Sequence, residues 1–195
     1  MTIIQTKMKF KKEMRVIGID DSPFNKFKDK EVLVIGVIMR GGLWVDGTVS
    51  SQVKVDGNDA TNVIADMINK CRFKPQLQCI FLNGIAVAGF NVVDIKELNK
   101  KTKISVIVVI RSSPNIENIK KTLIKIKQRK KIKLIEKAGR VMKIGKIFVQ
   151  LAGIDLEKAE KILKIACTRS LIPEPLRLAH IIAAGIVAGE SKGRA

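Results

Sequence analysis

This chain predicts a mixed α/β fold: three antiparallel strands, then two parallel ones, with helices against the sheet. Three observations predict it. Three apolar, strand-like runs, EMRVIGID, EVLVIGVIMR and LWVDGTVSSQVKV, come before any helical pattern. Two further apolar runs, LQCIFLNG and ISVIVVI, alternate with helical segments, as parallel strands joined by crossovers do. The first run ends in DDSPF and not in a G-x-G-x-x-G turn, which argues against a dinucleotide-binding Rossmann sheet.

The elements follow in order. EMRVIGID reads as a short buried strand. After the turn DDSPFNKFKDK, EVLVIGVIMR is apolar almost throughout. Gly41-Gly42 is a hairpin signal, and the chain returns as the third strand. VDGNDATNVIADMINK reads as a turn and a helix, with Asp59 near its N-terminus and Val63, Ile64, Met67 and Ile68 on one face. The fourth strand, LQCIFLNG, ends at Asn83-Gly84, and IAVAGFNVVDIKELNKKT is a loop leading into a short helix. ISVIVVI, β-branched along most of its length, is expected to be central and parallel and to end at Arg111. SSPNIENIKKTLIKIKQ is expected to be a helix with a Ser cap and a Pro in its first turn. KIKLIEKAGRVMKIGKIFVQLAG is expected to form a basic pair of strands or a long hairpin. DLEKAEKILKIACTRS is an Asp-capped amphipathic helix, and IPEPLRLAHIIAAGIVAGE a final helix opened by Pro. Three strands, a helix, then strand–helix–strand–helix is the element order of the ribonuclease H-like fold.

A chain of 195 residues is long enough for one domain with a sizeable core. We expect that domain over residues 14–195, after a basic N-terminal arm over residues 1–13 that lacks the apolar stretch of a signal peptide. No apolar run is long enough to cross a bilayer. Three cysteines with no metal-type spacing fit unpaired thiols in a reducing cytoplasm. The formal net charge of +19 points to a polyanionic partner, most often nucleic acid. Residues 120–146 concentrate it, with twelve Lys/Arg against one acid, Glu136. Such a ridge neutralises phosphates without reading sequence. With no Tyr and one Trp, stacking along a single strand is not favoured as the main binding mode.

Against that charge, Asp20 and Asp21 end a buried strand. In the predicted sheet the first and fourth strands are neighbours, so Asp20, Asp21 and Asn83 converge, with Arg111 at the end of the fifth strand. Acids beside a basic ridge suit metal-assisted phosphodiester cleavage. A hard cation such as Mg²⁺ (or Mn²⁺) takes oxygen ligands and shares the substrate phosphate, while an Arg holds a phosphate oxygen.

VIGIDDSPF, VLVIGVIMRGGLWVDG, FLNGIAVAGFNVVDI, VIVVIRSSPN and IPEPLRLAHIIAAGIVAGESKGRA together resemble the archaeal endonuclease dU family, relatives of endonuclease V. The resemblance runs from Met14 to Ala195. It implies a ribonuclease H-like fold and metal-dependent nicking of DNA that contains deaminated bases, deoxyuridine above all. Gly18-Ile19-Asp20-Asp21-Ser22-Pro23-Phe24 is similar to the G-V-D-x-S-aromatic motif of endonuclease V, which makes Asp20 the first metal ligand, with Asp21 beside it. Asn83-Gly84 stands where that family has Asp-Gly, and Arg111 where it has Lys. Pro175-Leu176-Arg177-Leu178-Ala179-His180 is similar to its last-helix motif and assigns His180 a metal or acid/base role. Asp59 or Asp56 stands in for its first-helix Glu. The resemblance thus gives Asp20, Asp59, His180 and Arg111 as catalytic residues and Asp20, Asn83, His180 and Asp21 as metal ligands; the apolar hairpin strands leave a monomer or homodimer open. Two other readings stay open on the residues: a non-catalytic nucleic-acid-binding protein of the same fold, and an RNA nuclease.

Overall fold

A computed structural model describes residues 10–192. The expected arm over residues 1–13 therefore lies mostly outside the described residues, as does the end of the C-terminal tail. Strands Arg15–Asp21 (β1), Glu31–Arg40 (β2) and Trp44–Lys54 (β3) form the antiparallel half of the sheet. Helix Ala60–Lys70 (α1) leads to Leu77–Asn83 (β4). A small ribbon of Ala86–Val87 (β5) and Asn91–Val92 (β6) follows, then helix Ile95–Thr102 (α2) and strand Ser105–Ile110 (β7). Strands β4 and β7 lie parallel beside β1, so the order β3-β2-β1-β4-β7 is the expected ribonuclease H-like sheet.

Beyond β7 the expected hairpin is present but shorter, and a helix takes its first part. Helices Ile116–Lys125 (α3) and Lys130–Lys137 (α4) precede a short antiparallel ribbon, Met142–Ile144 (β8) and Ile147–Ala152 (β9), and β9 extends the sheet beside β7. Residues 131–137 are thus helical and not strand. KIKLIEK alternates polar and apolar residues, but it also places Lys131 and Ile135 four apart on one helical face, and both are buried. The cap of α3 is Asn115, whose side chain accepts from Asn118 N–H, and Pro114 precedes the cap. The loop expected between Ile85 and Val93 contains the β5–β6 ribbon.

Helices Leu156–Ala166 (α5) and Glu174–Ala188 (α6) complete the chain. They cover one face of the sheet, where Val16, Phe81, Ile107 and Val109 pack against Ile162, Leu163 and Leu176. Helices α1 and α2 cover the other, over Ile17, Ile19, Ile80, Leu82, Val106 and Val108. A smaller cluster of Leu123, Ile135 and Val92 seats α3 and α4 on the β5–β6 ribbon.

Candidate active site

Because side chains alternate along a strand, these two cores fix where the strand-end residues point. Val16 belongs to the α6 face, so Gly18 and Asp20 share it. Ile17 and Ile19 belong to the α1 face, so Asp21 shares that one. In β4, Phe81 faces α6, and Asn83 follows in phase. One strand end therefore delivers a carboxylate to each face, and the neighbouring strand adds an amide to the α6 side.

Gly18 sets the approach of α6. A Cβ there would collide with the backbone of Pro175 and Leu176. From this contact, two strand residues advance about 6.6 Å and four helical residues about 6 Å. Both elements then arrive together, at Asp20 and at His180. His180 Nδ1 lies 2.9 Å from Asp20 Oδ2, and Asn83 Nδ2 donates to the same oxygen at 3.0 Å. An ionised carboxylate only accepts, so against ionised Asp20 Nδ1 carries a hydrogen, and in the neutral ring Nε2 is then the acceptor. Asn83 keeps its carbonyl oxygen as an acceptor, and Gly84 takes the left-handed turn after it, with φ at 78°.

Asp21 is held differently. Its Oδ2 accepts from Ala88 N–H, in the β5–β6 turn, at 2.8 Å. Asp20, Asp21, Ser22, Asn83, Arg111 and His180 all line one open cavity of about 580 Å³, with Pro23, Phe24 and Gly84 on its wall. Burial pushes the Asp20 carboxyl above its ordinary value, opposed by the Asn83 bond and the His180 charge. Burial, opposed by the Ala88 bond and reinforced by the Asp20 charge, pushes Asp21 up to about 6. Holding Asp21 ionised at neutral pH therefore costs on the order of 3 kcal/mol. Fully buried Ile17, Ile19, Ile80 and Leu82, each contributing roughly 1.5–3 kcal/mol, offset this cost.

Of the six residues assigned from the sequence, Asp20, Asp21, Asn83, Arg111 and His180 line the same cavity, and Asp59 does not. Asp59 occupies the N-cap position of α1 without capping it through its side chain. Its carboxylate accepts from Asn91 Nδ2 at 2.6 Å and faces the backbone N–H of Lys54. Asn91 also donates to Lys54 O and accepts from Ala60 N–H, and Asp94 caps α2 through Glu97 N–H. These polar residues therefore bind the α1–β6–α2 junction together. Sequence reasoning missed Ser22 as a cavity residue, although it adjoins both aspartates. It also missed Ala88, which acts through its backbone and leaves no side-chain signal.

Among the described residues no three His, Cys, Asp or Glu side chains converge as a metal cage; an amide, Asn83, stands beside the two aspartates. Two carboxylates raised by burial, an amide oxygen and an imidazole nevertheless form an oxygen-rich set, with Arg111 on the same cavity. That chemistry fits a hard divalent cation that keeps several waters, and it does not fit a thiolate-preferring ion.

Residues 12–187 match the family model described as endonuclease dU. The chain is 46% identical over 193 residues to the UPF0215 protein of Methanothermobacter thermautotrophicus, covering 95% of this chain and 93% of that one. A crystal structure of a protein from Archaeoglobus fulgidus aligns with a TM-score of 0.83 at 37% identity, over 89% of this chain and 98% of the other. Endonuclease V of Ciona intestinalis, crystallised with a 24mer DNA containing an inosine followed by a ribo-adenosine, aligns with a TM-score of 0.53 at 22% identity, over 85% and 82%. That last likeness is one of fold.

Proposed function

The chain belongs to the endonuclease dU family, and we propose that it is a divalent-cation-dependent endodeoxyribonuclease that nicks DNA at deaminated bases, deoxyuridine first. Family and fold are those of nucleases. The observation that supports cation-dependent cleavage is the convergence of β1, β4 and α6 on Asp20 Oδ2, in a cavity whose lining includes Arg111; deoxyuridine as the substrate rests on the family's description.

In this reading Asp20, Asp21 and the carbonyl oxygen of Asn83 would hold Mg²⁺ or Mn²⁺, which would supply activation of a water and stabilisation of the leaving oxygen. His180, its ring fixed by Asp20, takes the proton of the attacking water at Nε2. The water oxygen bonds to phosphorus, and the bond from phosphorus to the leaving sugar oxygen breaks. Arg111 holds a non-bridging oxygen of the same phosphate. Asp59 has no part in this chemistry, because it lies outside the cavity and Asn91 ties its carboxylate to the α1 junction. Helix α3 begins a few residues after Arg111 in the chain, and the exposed Lys121, Lys125, Lys127, Lys130 and Lys133 of the α3–α4 segment give a basic surface suited to the phosphate backbone.

The amide at Asn83 favours one other reading, a protein that binds nucleic acid and does not cut it. A nicking assay separates the two. End-labelled duplexes with one deoxyuridine, one deoxyinosine or no lesion are incubated in Mg²⁺, Mn²⁺ or EDTA. Lesion-dependent nicks that EDTA abolishes are expected; binding without nicks in any metal would replace the endonuclease reading with the second one.

A further inference from the structure

Helix α4 carries a lysine that does not reach water. Lys131 is 3% exposed, whereas Lys130 and Lys133 beside it are exposed. Its ammonium donates three hydrogen bonds, to the backbone carbonyls of Asp56 at 2.7 Å, Gly57 at 2.7 Å and Phe90 at 2.6 Å. These use all three of its donors, and none goes to a carboxylate. Burying a charge in this way is expensive compared with an apolar side chain of the same length, so filling space does not account for it.

The carbonyls it gathers belong to two turns that are themselves cross-linked. Asp56 N–H donates to Ala88 O at 2.9 Å, and Phe90 N–H donates to Asp56 Oδ1 at 2.7 Å. Asp56 and Ala88 have φ values of 50° and 48°, the left-handed region that non-glycine residues adopt only when their surroundings impose it. Gly89 follows at φ 83°, where a Cβ would press on the Asp56 carboxylate. The N–H of Ala88, inside this strained turn, is the group that binds Asp21.

We propose that Lys131 is a positioning residue for Asp21, acting through the Asp56–Ala88 turn pair. It rests on the endonuclease reading above. The ammonium gathers three carbonyl dipoles that point inward and pins the left-handed turn. The turn aims Ala88 N–H at one carboxylate oxygen, which leaves the other for the cation. Helix α4 thereby joins the basic surface of the molecule to the order of its active site.

Nicking kinetics, and Mn²⁺ binding followed by electron paramagnetic resonance without DNA, test this. The proteins are wild type, Lys131→Met, Asp56→Gly, Asp21→Asn and each of the first two variants combined with Asp21→Asn. Met keeps the length of Lys without its charge. Gly suits the left-handed turn at position 56 and removes the bond to Phe90 N–H together with the carboxylate charge near Lys131, so one arm remains if the other variant fails to fold. Each single variant is expected to lower kcat about tenfold, leave KM for DNA unchanged and weaken Mn²⁺ binding about tenfold. Neither should have any further effect once Asp21 is Asn. Effects that multiply with Asp21→Asn, a loss confined to KM, or unchanged Mn²⁺ binding would each overturn the proposal. A wild type that binds Mn²⁺ with this dependence and nicks no DNA would sink the endonuclease reading and leave the positioning role standing. Wild-type nicking indifferent to both variants would do the reverse.

Discussion

Asp20 and Asp21 are neighbours in sequence, yet different parts of the molecule hold them. Asp20 is fixed by side chains from two long, well-packed elements, β4 and α6. Asp21 is fixed by a backbone N–H in a two-strand ribbon that packs against the basic helices. The α6 side owes its geometry to one close approach at Gly18. The opposite side owes it to left-handed turns and a buried ammonium. The lesson is that one strand end serves two layers, and each layer is open to separate disruption.

Gly18→Ala should break the Asp20 side alone and produce the largest effect. The colliding atoms are backbone and cannot move aside as a side chain would, so the cost falls at or above about 3 kcal/mol. Chemical denaturation should show that loss, and nicking should fall with it, while Ala88 still binds Asp21.

Asp21→Asn should sharpen the contrast through stability. A carboxyl whose folded pKa of about 6 exceeds its ordinary 3.8 binds its proton more tightly when folded. Its unfavourable contribution is absent below the lower value, grows between the two and is complete above the higher one. In EDTA, wild-type Tm should therefore fall as pH rises through this window. Asp21→Asn, which keeps an acceptor for Ala88 N–H, should flatten that fall and raise Tm by roughly 6–12 °C at pH 8. Thermal melts across pH check it, and a variant that is less stable at pH 8 would show that the carboxylate is not under strain. Mn²⁺ should raise the Tm of wild type and leave Asp21→Asn nearly unchanged.

The smallest effect lies outside both halves of the site. Lys125→Ala combined with Lys130→Ala should weaken DNA binding and lower the slope of log affinity against log salt by about 2. The kcat at saturating DNA should stay at the wild-type value; a fall in kcat would place these lysines in the chemistry.

The α6 side was largely legible in the sequence. Long apolar runs marked the strands and strand ends marked Asp20, Asn83 and Arg111, while His180 came from the family resemblance of Pro175-Leu176-Arg177-Leu178-Ala179-His180. Parity along β1 even separates Asp20 from Asp21 once the covering helices are known. The other side was not legible. Strands β5 and β6 have two residues each, too short for any period to register. Lys131 sits in a run of exposed lysines and differs from them only in where α4 docks. Asp59 looked like an acid poised at a helix start; its role depends on Asn91, thirty-two positions away, and no local signal reports that pairing.

In the proposed endonuclease, Asp20 and not Asp59 carries the chemistry. Nicking of deoxyuridine duplex by wild type, Asp20→Ala and Asp59→Ala, in Mn²⁺ with an EDTA control, tests it most directly. Asp20→Ala should abolish nicking to the EDTA level while duplex binding survives, and Asp59→Ala should keep nicking after any loss of folded protein is corrected for. Full activity in Asp20→Ala, or its loss in a folded Asp59→Ala, would contradict the account.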